Sequence, residues 1–380
     1  MALTKTIPPF YSKLAAVLVS LIALFYIAIE GKSILAPLFF ALLFAVMLLP
    51  LAGLLERRLR FPRSLAALFS VILLVLFVGA LFYLVGSQIS SLADDWPQFK
   101  EQVQDSLKDL QHWIYVKFRV SSRQQMTYVN NATTRILNTG PGVIGDALSS
   151  VSGMLVSVIF MLIDTFFLLY YRRLIIRFLI SVFKEENSLT VYDIIAQVQS
   201  RIRSYIFGLL LEMVIVATVS CLALYFLGIK YAILLGLITG LFNVVPYIGI
   251  FSATLLSALV TFATAASAGK ALLAVVALLG IHIVDANVLL PLVVGSKVRI
   301  NALVTLLGVI IGEAAWGIAG MFLAIPVIAI AKIIFDRVPT LKPWGMLLGD
   351  EKDEQQPEPL KEEVRHEELK KEEGEHKPGS

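Results

Sequence analysis

The sequence predicts an all-α polytopic membrane protein with about eight hydrophobic segments, the sixth and eighth of them broken. Three observations carry that reading. Hydrophobic residues make up 58% of the chain and charged residues 16%, far from the balance of a soluble domain. Several apolar runs exceed about 18 residues, enough for a helix to cross a bilayer, and the alternating ten-residue segments of a membrane β-barrel are missing. The last large apolar block, residues 207–335, contains two segments too long for one crossing. Residues 231–265 as a straight helix would reach roughly 50 Å, against a hydrocarbon core about 30 Å thick. This segment is interrupted at Asn243 to Ile250 (NVVPYIGI), and the later one at Gly312 to Gly320 (GEAAWGIAG). Each folds back as a hairpin or makes two short crossings; the sequence leaves both open. Paired broken segments in matching positions point to a transporter's binding site.

The elements follow in order. Span one covers residues 14–29 and span two residues 34–55. Lys5 and Lys13 precede span one as in a signal peptide, but no cleavage site intervenes, so the helix is read as retained. The link Glu30-Gly31-Lys32-Ser33 is not a phosphate loop, because Tyr26 stands where that loop needs its first glycine. Arg57, Arg58, Arg60 and Arg63 then mark a cytoplasmic end by the positive-inside rule. Span three covers 64–86. Residues 87–150 form an extracytoplasmic insertion in which Trp96, Phe99, Val103, Leu107, Leu110, Ile114 and Phe118 make one apolar helical stripe, read as a packing face. Span four, 151–171, ends in Arg172, Arg173 and Arg177, again cytoplasmic. A short amphipathic connector, 178–205, leads to span five at 207–228. The first broken segment, a full span at 271–294 and the second broken segment to about residue 334 complete the membrane part. If each broken segment re-enters on its own side, helix-plus-hairpin occurs twice in opposite orientation, a candidate inverted repeat.

These elements group into five units: N-terminal helices (1–86), the insertion (87–150), span four with its connector (151–206), a transport core (207–340) and a tail (341–380). From Asp350 the tail carries twelve acids against six Lys and Arg, so with a net charge of +4 the rest of the chain is about +10. Cytoplasmic loops explain that excess without nucleic-acid binding, and the tail is expected to be solvated and disordered, with both termini cytoplasmic. The lone Cys221 excludes an internal disulfide. Four histidines (His112, His282, His366, His376) lack metal-ligand spacing, and no nucleophile elbow or phosphate loop is present. An enzyme, a cofactor and a metal are not expected.

The chemistry resides in ionisable groups at membrane depth, which are costly there and usually face a bundle interior or wet cavity. Asp164 lies in span four, Glu212 in span five, His282 and Asp285 in the following span, and Glu313 in the second break. Asn287 and Pro291 accompany Asp285, and His282 precedes it by three residues, on one helix face. A carboxylate partner for Asp285 has to come from another helix. For Glu212 and Asp164 the plain alternative is pairing with Arg172, Arg173 or Arg203. The first break offers Asn243 and Tyr247 as hydrogen-bonding groups, Pro246 as a missing donor and Gly249 as a turn former.

At these residues the chain resembles the autoinducer-2 exporter family of bacterial permeases, the PerM-like transporters. The resemblance rests on LITGLFNVVPYIG (237–249), DANVLLPLVVGSKVRINAL (285–303) and WGIAGMFLAIP (316–326). It implies an inner-membrane homo-oligomer that exports a small polar signal or metabolite, with sodium/proton antiport among the family's activities. It also assigns Pro246, Tyr247, Gly249, Asp285, Asn287, Pro291, Gly295, Gly317, Gly320 and Pro326 to the family pattern. The resulting expectation is a proton-coupled exporter of a small hydrophilic solute. A sodium (or lithium)/proton antiporter using the same acids and a non-transporting scaffold are the alternatives.

Overall fold

A computed structural model describes residues 10–94, 101, 156–183, 187–245, 248–265, 267–293 and 300–349, and the described residues are helical and irregular throughout. The first helices follow the apolar runs. α1 (Phe10–Glu30) and α2 (Lys32–Arg58) are parted only by Gly31, and α3 (Arg63–Asp94) runs past the expected end of its span. Apart from Glu101, the rest of the 87–150 insertion, including the Trp96 to Phe118 stripe, lies outside the described residues, as does the tail from 350. α4 (Val156–Tyr170) is followed by α5 (Arg172–Val182), an amphipathic helix with no buried residue.

The expected connector and span five are one helix, α6 (Ser188–Phe226). The physical reason is visible in the chain: no glycine or proline interrupts residues 188–207, so nothing stops the helix at the membrane boundary. At 39 residues it is about 58 Å long, and it ties the molecule together. Its Ile202, Tyr205, Ile206 and Leu209 pack with Leu43 and Val46 of α2 in one apolar cluster, and its Leu224 anchors a second cluster. A third cluster joins α2, α3 and Leu169 of α4.

Both interruptions predicted from the sequence are present. The first broken segment is α7 (Ala232–Phe242) and α8 (Ile248–Ala265). α7 is about 16 Å long, too short to cross a bilayer. α9 (Ala268–Val284) then meets a π-helical turn at Asp285–Leu289 before the short α10 (Leu290–Val293). The sequence predicts a full span here with Pro291 to kink or open it. Pro291 cannot donate to Asn287, and the neighbouring Leu290 amide reaches back five residues to the Asp285 carbonyl, the wider turn that relieves a proline inside a helix.

The second broken segment is α11 (Ala302–Trp316) and α12 (Ile318–Arg337), closed by α13 (Lys342–Leu348). The break narrows to Gly317, at φ 63° and ψ −141°. Gly312 and Gly320 press backbone on backbone across this hairpin, the close approach small residues permit between membrane helices. A side chain at Gly317 meets no steric neighbour, so its penalty is purely conformational. Gly317→Ala is expected to lose about 1–3 kcal/mol, read as a lower thermal midpoint in detergent; an unchanged midpoint contradicts the turn.

Large apolar side chains such as Val19, Leu76, Leu255 and Leu292 stand exposed along the outer faces of α1, α3, α8 and α10, and among the described residues five helices are long and apolar enough to cross a membrane. A multi-pass membrane protein accounts for both.

Candidate functional site

The inward face of α6 is an apolar seam of Tyr205, Leu209, Met213, Val216 and Leu224, interrupted by one acid, Glu212, only 2% exposed. α7 lies against this helix so closely that a Cβ at Gly240 would strike Ala217 and the Met213 carbonyl, and one at Gly236 would strike Cys221. That packing delivers Asn243, the residue capping α7, to the level of Glu212. Asp285, 5% exposed, arrives on the π turn after α9.

The three side chains meet. Asn243 Nδ2 donates to Glu212 Oε1 at 3.0 Å and to Asp285 Oδ2 at 3.1 Å. One amide nitrogen with two hydrogens thus serves two carboxylates from two other helices. Among the described residues the remaining oxygens, Glu212 Oε2 and Asp285 Oδ1, meet no donor, and His282 Nδ1 one turn before Asp285 has no partner; the two carboxyl groups themselves come close enough to share a hydrogen bond when one carries a proton. Buried polar atoms are nearly always paired, so three orphans at one place mark a site built for something else. The ionisable groups that act on Glu212 and Asp285 are each other and His282, while Glu212 in turn faces Tyr205. Two ionised carboxylates in such surroundings cost several kcal/mol. A proton or a cation between them removes that cost.

The arginines expected as plain partners are engaged elsewhere or lie apart. Arg172 clasps both oxygens of Glu56 at 2.7 Å, and neither Arg173 nor Arg203 is among the groups acting on Glu212. The two breaks share a core. Val244 packs into the cluster that holds Trp316, and Val245 into the cluster of Val309, Met321 and Ala324. Trp316 is itself fixed by a 2.7 Å bond from Nε1 to the Ala28 carbonyl and by the Phe39 ring at 5.6 Å.

A profile of AI-2E family transporters matches residues 16–340. The chain belongs to the AI-2E transporter family. It is 28% identical to YueF of Bacillus subtilis (strain 168) over 324 residues, 79% of this chain and 84% of YueF. It is 27% identical to the AI-2 transport protein TqsA of Escherichia coli (strain K12) over 328 residues, 84% of this chain and 90% of TqsA. PerM of the same strain is 26% identical over 212 residues, 55% of this chain and 60% of PerM. The resemblance read from the three motifs therefore holds, and membership places the chain among membrane transporters rather than enzymes.

In this AI-2E transporter the structure gathers Glu212, Asn243 and Asp285, with His282 adjoining. Gly249 lies just behind them: a Cβ there would strike the Phe242 carbonyl, so the backbone closes the first break only around a glycine. The other candidates stand differently. Asn287 is exposed and returns its Nδ2 to the Ile283 carbonyl at 2.7 Å. Glu313 is exposed on α11 and does not act on the pair, and Asp164 is half-buried on α4. Pro246, Tyr247 and Gly295 lie outside the described residues.

Two sets of residues escaped the sequence reading. Tyr205 sits two turns before Glu212 on the same face but fell within the supposed connector. Thr254, Ser257 and Thr261 of α8 are buried with hydroxyls that have no partner, as is Ser220 of α6. Other buried hydroxyls bond the carbonyl four residues back, as Ser70 does to Ala66 and Thr239 to Leu235. The spacing of 254, 257 and 261, three and then four, puts the α8 set on one face, a signal present in the sequence.

Proposed function

We propose that this AI-2E transporter exports a small hydrophilic solute, an autoinducer-2-like signal or related metabolite, in exchange for protons taken up by the Glu212–Asp285 pair. One observation carries the reading: the residue that ends the first half of a broken segment, Asn243, holds two buried acids from two other helices. A proton arriving at or leaving the pair changes what Asn243 is bound to, and so biases the break in which it sits. The hydroxyl face of α8 supplies hydrogen-bonding groups leading away from the pair along the helix, a route that suits a polar solute better than the surrounding aliphatic seam. Re-entry of both broken segments from opposite sides, as an inverted repeat, fits the short α7 and the Gly317 turn. TqsA, named for AI-2 transport, makes autoinducer-2 the first solute to try.

A second reading has its own support. The orphan oxygens Glu212 Oε2 and Asp285 Oδ1 are hard ligands suited to an alkali cation, so sodium/proton exchange uses the same pair. Vesicles containing the purified chain distinguish the two. Autoinducer-2 flux under an imposed pH difference is expected, falling by at least roughly tenfold in Asn243→Ala, which loses both hydrogen bonds to the carboxylates. Sodium-dependent proton flux with no organic solute assigns the pair to cation exchange. Equal autoinducer-2 flux in Asn243→Ala and the intact chain overturns the site.

A further inference from the structure

Away from the acid pair, the arginine-rich end of the molecule holds three adjoining cavities. The largest of the three, about 750 Å³, lies between α2, α5, α6 and α12, and most of its wall is aliphatic: Leu43, Val46, Ile176, Ile194, Val198 and Ile330 are representative. That volume lies within the range of sites that hold small molecules, roughly 300–1,000 Å³. It shares Leu49 and Arg172 with a second cavity of about 630 Å³, lined by Arg57, Arg63, Arg172 and Arg173 against a single acid, Glu56. A third, about 400 Å³, continues past Arg63 and Arg173 to Arg177, Tyr170 and Tyr171.

The chemistry changes abruptly across Arg172. On one side the walls are mainly apolar, with Asn187, Thr190, Gln199 and Arg337 as their few polar residues beyond Arg172. On the other, four guanidinium groups face one carboxylate, and that carboxylate is already taken by Arg172. Among the described residues, Arg57, Arg63 and Arg173 have no side-chain acceptor, and planar guanidinium forks match phosphate oxygens. The paired tyrosines stand at the same level, where aromatic rings mark the headgroup zone of a bilayer. α5, which borders both regions, buries none of its residues, although its Ile176 and Leu179 face the aliphatic cavity.

We infer that these joined cavities bind one anionic phospholipid, its phosphate on Arg63 and Arg173 and an acyl chain in the aliphatic cavity beneath α5. Charge complementarity selects the anionic headgroup, and the continuity of the apolar cavity with the arginine cavity selects a lipid over a free phosphate. The bound lipid covers the inner face of α5 and braces the arginine-rich end of α2 against the N-terminal part of α6, the helix that carries Glu212.

Native mass spectrometry of the full chain, released from detergent after incubation with phosphatidylglycerol or phosphatidylcholine of equal chain length, tests this. Phosphatidylglycerol is expected to be retained preferentially. Arg63→Gln with Arg173→Gln, both exposed positions, lowers its retention roughly tenfold, following the attraction of each arginine for an anionic headgroup. Ile176→Trp, which fills the aliphatic cavity, lowers retention of both lipids. Arg58→Gln, one residue from the cluster and outside its wall, changes neither. Inorganic phosphate at millimolar concentration leaves the lipid in place. Equal retention of the two lipids, an Arg58→Gln loss as large as that of the double variant, unaltered binding in Ile176→Trp, or displacement by phosphate alone overturns the assignment.

Discussion

Asp285→Asn is expected to stop driven transport while leaving the protein folded. Asparagine has the shape of aspartate and still presents an oxygen to Asn243 Nδ2, so the 3.1 Å contact has a neutral replacement. It carries no charge and takes up no proton at any accessible pH. Repulsion with the buried Glu212 disappears, and the thermal midpoint in detergent is expected to hold or rise, as when an unfavourable buried charge is removed. Flux falls by roughly a hundredfold, the scale of a lost contact to a charged group at about 1.5–3 kcal/mol. Glu212→Gln behaves alike, and the two together do little more harm than either alone, because the carboxylates act as one unit. Undiminished flux in Asp285→Asn removes the pair from the mechanism. A collapsed midpoint with flux surviving per folded molecule makes the pair structural.

Gly249→Ala is expected to have the second large effect, by a different route. A methyl group there enters the Phe242 carbonyl, and backbone cannot swing aside as a flexible side chain can. The Gly249 amide also bonds the Val245 carbonyl at 3.1 Å, so relief comes only by opening the break. Phe242 immediately precedes Asn243, and opening the break draws the amide away from the acids. Flux is expected to fall by at least about tenfold together with a lower midpoint. Gly269→Ala, at the start of α9 where the nearest atom to a new Cβ is Ser267 Oγ at an ordinary 3.6 Å, serves as the neutral control. A Gly249→Ala protein with unchanged flux and midpoint contradicts the close approach.

Much of this architecture is legible in the residues themselves. Apolar runs bounded by arginines give the early helices, and the excess length of 231–265 over a bilayer thickness, with Pro246 and Gly249 inside it, gives the first interruption. Glu212 and Asp285 stand out because acids are rare in such runs. Their partnership is not legible, since 73 positions separate them and only the seating of α7 on α6 brings Asn243 between them. The same limit applies to Glu313 and Asn287: each lies near a break in the chain, yet helix rotation leaves both exposed. The merger of the connector with span five has the opposite cause: the chain turns from polar to apolar along one unbroken helix, and a change of polarity does not by itself end a helix. The π turn at Asp285 was half visible, because Pro291 announces a defect without saying that the relief is one wider turn.

The buried acids and the scaffold alternative separate cleanly. A protein that acts only through its insertion and tail has no use for two carboxylates and a histidine nitrogen left unpaired in an apolar interior. The most direct measurement follows internal pH in vesicles loaded with autoinducer-2 while the solute leaves down its own gradient. Acidification of the lumen that tracks solute efflux in the intact chain and vanishes in Glu212→Gln/Asp285→Asn is the expected result. Efflux that proceeds with no pH change, and at the same rate in the double variant, contradicts a proton-binding pair at the heart of this transporter.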